Sequence, residues 1–309
     1  MRKKSSPKIK LCTIILEYQN SQLTLETIES LKSALIPSRV THHIIVIDNS
    51  PVPDGVLQKK LPRHKNVDLI TTHENTGFAQ GNNQGITRAL EKKYTHIMML
   101  NNDVLVDKYF IKHLLIAMDN GADIVVPKIY FAKGYEFHKD KYKPSEFGKV
   151  IWYAGGYFDW NNVFGKHIGI DQVDKGQFDK AKPIDFANAC CVMIKREVFK
   201  KIGLLDTDYF LYFEDADFSY RAYLAGFKIL YEPKSKIYHK VSSSSGSGSK
   251  FQDYYLTRNR LLFGYKYAPT RTKLALFKQS VIRLVTGRPG EKQGILDYYL
   301  KKLGKGKSV

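Results

Sequence analysis

Residues 10–20 read KLCTIILEYQN: an apolar, β-branched run gives way to Tyr18, Gln19 and Asn20, and Leu23, Leu25, Ile28, Leu31 and Leu35 follow at near-helical spacing. The same order of strand, polar break and helix recurs. Residues 43–47 read as a strand ending in Asp48-Asn49-Ser50, 67–71 as a strand, 77–92 as a helix, and 96–100 as a strand ending in Asn101-Asn102-Asp103. Strands and helices alternating at these lengths predict an α/β, mostly parallel sheet flanked by helices. Ligands of such sheets sit beyond the carboxyl ends of the strands, which here carry polar clusters at Tyr18, Asp48 and Asp103. Residues 1–105 are therefore read as a nucleotide-binding half.

Farther along, a helix is expected at 107–118 and a strand at 122–126, after which residues 128–182 read as an irregular insertion with an edge hairpin. Residues 184–194 read as a strand, 196–201 as a short helix, 215–225 as a helix stopped by Gly226, and 228–231 and 236–239 as two strands. The low-complexity run SSSSGSGS at 242–249 marks either a mobile active-site loop or a linker. Beyond it, 251–267, 273–285 and 295–303 read as basic helices. The expected division is a catalytic domain over 1–249, whose acceptor and catalytic half spans 106–249, and a basic helical C-terminal appendage over 250–309.

A chain of 309 residues that is 43% hydrophobic and 13% aromatic can bury a sizeable core, which excludes wholesale disorder. Cys12, Cys190 and Cys191 cannot build a disulfide framework, and they point to a reducing compartment. No stretch approaches the roughly 20 apolar residues of a transmembrane helix, and the run after the basic N-terminus is too short for a signal segment. A cytoplasmic chain, soluble or peripheral at the inner face of the cell membrane, is expected.

The net charge is +19, and residues 250–309 carry 14 Lys and Arg against three Asp and Glu, a net +11. Such a tail suits an anionic membrane surface, with Tyr255, Leu262, Phe263, Leu274, Leu276, Phe277, Ile282 and Leu284 as apolar contacts. The alternative is packing on the catalytic core or on a second subunit, which leaves a homodimer open. A nucleic-acid partner is disfavoured: no helix-turn-helix, zinc or RNA-recognition signature is present, and the acids at 214–217 would repel phosphates.

Several residues invite chemistry. Asp48 ends a buried-looking strand and either accepts hydrogen bonds from a nucleoside or makes a turn. In ENTGFAQGNNQGI, residues 74–86, Gly77, Gly81 and Gly85 leave one helix face bare. That face either admits a diphosphate to the helix start or packs closely, with Asn75 or Thr76 as cap. The glycine spacing is not that of a dinucleotide fold, which argues against a dehydrogenase. Asp103 is suited to holding a hard cation on a diphosphate, or to capping the next helix. In FEDADFSYR, residues 213–221, Glu214 and Asp215 open a helix whose dipole favours carboxylates, and a carboxylate there beside Tyr212 and Phe213 can also take a proton from a sugar hydroxyl. Asp217 and Arg221 are spaced as a supporting ion pair. His239 is either a structural strand-end histidine or a nitrogen ligand that shifts preference toward Mn²⁺.

The succession Tyr18, VIDNS, NTGFAQGNNQGI, LNND and GLLDTDYFLYFEDADFSYRAYLAGFKILYEPKSKIYHKVSSS resembles the family-2 inverting glycosyltransferases of the GT-A fold. It is most similar to their bacterial rhamnosyltransferase-like branch, which also has galactofuranosyltransferase relatives. The resemblance spans about residues 10–265 and is strongest over 203–244. It implies a nucleotide-binding set of Tyr18, Asp48, Asn75, Gly77, Asn83 and Asn102, with Asp215 as general base and Glu214 its catalytic neighbour. Asp103 and His239 become the ligands of a divalent metal, Mn²⁺ or Mg²⁺. Asn101 departs from the family's Asp-x-Asp pattern and leaves one carboxylate for the ion. The implied donor is a nucleotide-diphosphate sugar, dTDP-rhamnose ahead of UDP-galactofuranose or another UDP-hexose. The implied acceptor is a hydroxyl of a cell-surface polysaccharide or lipid-linked glycan.

Overall fold

The computed structural model describes residues 8–241 and 249–306, so the low-complexity run at 242–249 lies, except for Ser249, outside the described residues. The first half follows the expected alternation: β1 (Ile9–Glu17), α1 (Ser21–Lys32), β2 (Val40–Asp48), α2 (Val56–Lys60), β3 (Val67–Thr71), α3 (Gly77–Glu91) and β4 (His96–Asn101). Then come β5 (Val104–Val106), α4 (Phe110–Asp119), β6 (Ile124–Phe131), β7 (Ile151–Tyr153), β8 (Gly156–Asp159), β9 (Phe164–His167), β10 (Lys182–Pro183), β11 (Cys191–Lys195) and α5 (Arg196–Ile202). The chain closes with α6 (Glu214–Leu224), β12 (Ile229–His239), α7 (Lys250–Tyr267), α8 (Thr270–Thr286) and α9 (Pro289–Tyr299).

The central sheet runs β3-β2-β1-β4-β11-β6-β12-β10. Strands β1 to β4 are parallel, β11 is antiparallel to both its neighbours, and β12 is parallel to β6, so β4, β6 and β12 all end at the same edge. Helices cover both faces, which explains why β1 is a nearly unbroken apolar run with Leu11, Cys12, Ile14 and Ile15 fully buried. The register pairs Glu17 with Asp48 at the carboxyl edge.

Helix α3 lies against β1 because its glycines allow it: a Cβ added at Gly81 would come within 2.5 Å of Leu16, and one at Gly85 within 2.6 Å of Ile14. The bare glycine face therefore serves close packing.

Four sequence expectations are corrected. Residues 184–190 are a buried connection, and only Cys191–Lys195 is strand. Its backbone groups are satisfied irregularly, the N–H groups of Ile184 and Phe186 donating to the carbonyls of Ile229 and Gly156 and Ala187 bonding through both its N–H and its carbonyl to the Ser219 hydroxyl, so apolar burial there does not require a ladder. The two strands expected at 228–231 and 236–239 are one strand, β12, with a register irregularity between Glu232 and Lys236, where Pro233 has no N–H to give. The hairpin expected at the sheet edge, β8–β9, forms a separate small sheet. The last helix begins earlier than expected, at Pro289, where Arg288 N–H donates to Glu291, and it ends at Tyr299.

Helix α7 of the C-terminal region packs on the catalytic core. Phe263 of α7 is fully buried and its ring meets those of Phe158, Trp160, Phe213 and Tyr267; burying such a ring contributes about 1.5–3 kcal/mol. Tyr255, Leu262 and Leu276, expected to be available to a membrane, are buried as well, and Leu284 is half-buried against the core. Cys12, Cys190 and Cys191 are free and buried.

Candidate active site

The carboxyl edge of β1, β2 and β3 carries a web of polar groups. Asp48 is 2% exposed; its Oδ1 accepts from Ser50 N at 3.2 Å and its Oδ2 from Gln58 Nε2 at 2.9 Å. Glu17 lies beside it and accepts from Asn20 N at 2.5 Å and Ser50 Oγ at 2.9 Å. Burial and the hydrogen bond to Asp48 push Glu17 up to about pKa 7. Tyr18 follows directly, its ring 44% exposed at the rim. Asn49 ties β2 to the turn before α3: its Oδ1 accepts from Thr76 N–H and hydroxyl, and its Nδ2 reaches Asn75 Oδ1 at 3.3 Å.

Two residues expected beside the nucleotide are occupied by the fold. Gly77 has φ of +83° and no room for a Cβ, which would collide with Phe210; the N–H groups of Phe78 and Ala79 already donate to Phe210 O. Asn83 uses both amide atoms on Leu205, donating to its carbonyl at 2.8 Å and accepting from its N–H at 3.0 Å. Asn102 donates to Thr24 Oγ1 at 3.1 Å, anchoring the β4–β5 turn to α1.

That turn presents Asp103. Antiparallel pairing of β5 with β12 sets His239 opposite Val104, and Asp103 Oδ1 lies 3.1 Å from His239 Nε2, with both residues 6% exposed. Burial works against a charged imidazole at His239, but Cys190 and Asp103 outweigh it and raise its pKa to about 10. His239 Nδ1 has no hydrogen-bond partner among the described residues. A carboxylate and an imidazole converging in a buried crevice fit a divalent cation that draws its remaining ligands from diphosphate and water. Among the described residues no set of three or more His, Cys, Asp and Glu converges on such a point.

Asp215 opens α6 on the wall of a cavity of about 460 Å³, which is also lined by Phe164, His167, Phe186, Asn188, Glu214 and Arg260. Its Oδ1 accepts from Ala216 N at 2.8 Å, and its Oδ2 accepts from Ala189 N and Asn188 Nδ2, each at 3.3 Å. Burial raises its pKa to about 6, while these backbone donors hold it from rising further. Glu214 is pushed well above the carboxylate range by burial and then by the charge of Asp215, and its buried Oε2 has no partner among the described residues. Burial and mutual repulsion thus push the two carboxyls apart, favouring the protonated form at Glu214 and the ionised form at Asp215.

The insertion supplies the opposite wall. His167 Nδ1 donates to Trp152 O at 3.2 Å, which leaves Nε2 to accept from Asn188 Nδ2 at 3.3 Å. Burial lowers His167 to about pKa 4 and keeps it neutral. The Trp152 ring stands edge-on to both His167 and His239, 4.7 Å from each. It therefore joins the Asp103–His239 pair to the Asp215 cavity.

The sequence reading also missed a clamp from α7. Phe210, Tyr212 and Phe213, just before Asp215, have φ of 59°, 67° and 74°, a left-handed run that costs about 1–2 kcal/mol per residue. Asn259 Nδ2 donates to the carbonyls of Tyr209, Leu211 and Tyr212 at 2.7, 2.8 and 2.8 Å. Fully buried Arg258 donates to the carbonyls of Asp208, Tyr209 and Gly304. The available signal was a polar Arg-Asn pair within an apolar and aromatic helix.

A family model described as glycosyl transferase family 2 matches residues 12–203. The chain belongs to that family. It is an inverting glycosyltransferase that uses a nucleotide sugar. This glycosyltransferase is 27% identical over 255 residues to the low-salt glycan biosynthesis hexosyltransferase Agl10 of Haloferax volcanii, covering 82% of this chain and 74% of that one. It is 24% identical over 231 residues to the dTDP-rhamnosyl transferase RfbF of Shigella flexneri, covering 71% and 70%. Its fold matches a crystal structure of GalNAc-T7 with UDP, GalNAc and Mn²⁺ at a TM-score of 0.66 and 16% identity, over 94% of this chain and 54% of that one. Among the described residues no helix is long and apolar enough to cross a membrane.

Proposed function

We propose that this glycosyltransferase transfers a deoxyhexose from dTDP-rhamnose to a hydroxyl of a cell-surface polysaccharide or lipid-linked glycan, with Asp215 as general base. The observation that carries the reading is Asp215 itself, held by three hydrogen-bond donors and opening into a cavity whose far wall leads through Trp152 to Asp103 and His239. The nucleoside lies over the Tyr18, Asp48 and Asn75 edge, with Asn102 holding the adjoining turn. Asp103 and His239 would hold Mn²⁺ or Mg²⁺, which when bound stabilises the charge on a departing diphosphate.

The acceptor oxygen forms a bond to the anomeric carbon on the face opposite the diphosphate, and the carbon–oxygen bond to the diphosphate breaks with its electron pair. The acceptor proton passes to ionised Asp215. Asn188 and the Ala189 N–H orient that carboxylate, while protonated Glu214 and the aromatic wall exclude water. One base suffices because the nucleoside diphosphate leaves as an anion, whereas a glycosidase acting on an alcohol leaving group needs a second carboxyl as acid.

The RfbF likeness supports the rhamnosyl donor, and the likeness to the hexosyltransferase Agl10 favours a second reading in which another hexose is transferred, for which a UDP-hexose is the donor the sequence resemblance implies. Thermal-shift titration with dTDP, UDP and GDP, each with and without Mn²⁺, tests the choice. The proposal requires the largest metal-dependent shift with dTDP; a larger shift with UDP transfers the assignment to a UDP-sugar.

A further inference from the structure

We propose that the outer face of α8 docks the glycosyltransferase on an anionic lipid surface. In α8 only Leu276 and Ser280 are buried. On the side away from them, Leu274, Phe277, Val281, Ile282 and Val285 are 67, 54, 50, 49 and 77% exposed. Counted from Leu274 these fall at +3, +7, +8 and +11, which places all five on one face of a helix. The stripe runs most of the 17-residue helix.

The charge around the stripe selects its occupant. Helix α8 carries Arg271, Lys273, Lys278 and Arg283 and no acidic residue. Among the described residues Arg271, Lys273 and Lys278 make no salt bridge, and only Arg283 has a carboxylate partner, Glu291 at 3.8 Å. Arg271 and Lys278, both exposed and unpaired, fall on the same face as the stripe, whereas Lys273 and Arg283 lie toward the buried side; an apolar face carrying unpaired cations is the arrangement that enters the headgroup region of an anionic bilayer. A second copy of the helix would bring Arg271 and Lys278 into a contact to which α8 contributes no acidic side chain. A spanning mode is excluded by the length and polarity of α8.

Helix α8 also touches a residue of the candidate site, on the side away from the stripe. Arg260, which lines the Asp215 cavity, donates through Nη1 to Gln279 Oε1 of α8 at 2.8 Å. A membrane on the stripe is thus separated from the acceptor cavity by the width of α8, and delivery of a lipid-linked acceptor is the purpose this docking has if the proposed reading of Asp215 holds. The docking itself is independent of that reading and is measured without turnover.

The full chain is sedimented with vesicles of equal phosphatidylglycerol and phosphatidylcholine, and with phosphatidylcholine alone. Two variants are compared, Leu274→Ser/Phe277→Ser/Val281→Ser and Arg271→Gln/Lys273→Gln/Lys278→Gln. Leu274, Phe277 and Val281 are at least half exposed, Arg271 and Lys278 are exposed and Lys273 is partly exposed, and unchanged nucleotide-induced thermal shifts identify folded protein. The proposal expects the wild type to bind the anionic vesicles, each variant to bind at least about tenfold more weakly, and salt to release the wild type. Wild-type protein left in the supernatant, or an apolar variant that binds as the wild type does, overturns it. So does a wild-type dimer that the apolar substitutions turn into monomer, which would assign the face to a second copy.

Discussion

His239 Nε2 lies 3.1 Å from Asp103 Oδ1, although 136 positions separate the two in sequence, because β12 pairs antiparallel with β5 directly after the Asp103 turn. A cation placed there replaces the proton the two residues otherwise share. His239→Ala and Asp103→Asn should each weaken Mn²⁺-dependent nucleotide binding by at least the roughly 10–100-fold that accompanies loss of even a supporting partner at a metal site. Isothermal titration with dTDP, with and without Mn²⁺, measures this. An unchanged metal response in both variants would remove the pair from ligation.

The acidity of Asp215 sets a pH limb. Its pKa is raised to about 6 by burial, and the base acts ionised, so kcat/KM should fall about tenfold per pH unit below 6 and level off above it. An acidic limb displaced to pH 4 would show that Asp215 is not desolvated in the working enzyme.

Burial and the charge of Asp215 favour the protonated form of Glu214, so a neutral amide of the same shape should replace it. Glu214→Gln is expected to keep turnover within a few-fold of wild type, on the order of 1 kcal/mol or less in the barrier, whereas Glu214→Ala opens a void beside Asp215. Steady-state rates of the two variants decide the point, and a Glu214→Gln enzyme as inactive as one lacking Asp215 would mean that Glu214 reacts as an ion.

Asn259 makes no hydrogen bond to Asp215, yet it fixes the carbonyls of Tyr209, Leu211 and the cavity-lining Tyr212 ahead of it. Asn259→Ala leaves buried carbonyls unpaired, at a cost of about 1–3 kcal/mol. We expect a lower Tm together with a loss in kcat and little change in donor KM. A loss of stability with kcat intact would limit Asn259 to a purely structural part.

Much of this architecture was legible in the sequence because strand and helix periods are local properties. The runs at β1, β2 and β4 and the FEDADFSYR helix start needed only residue type and spacing. What was not legible depends on chain crossings. Residues 184–190 look like a strand because they are apolar, but they are a connection whose Asn188 and Ala189 hold Asp215. Gly77 looked like a place for a phosphate, and it is where Phe210 packs. Trp152 and His167 lie in an insertion with no periodicity, and the α7 clamp acts across about 50 positions of sequence, a separation that periodicity does not encode.

The central claim is that Asp215 takes the acceptor proton. The most direct measurement compares wild type with Asp215→Asn for nucleotide affinity by titration and for sugar transfer by product formation from the donor that the nucleotide screen selects. The account predicts unchanged nucleotide affinity and a fall in transfer of about 10²–10⁴-fold. Transfer by Asp215→Asn at a near-normal rate would contradict it.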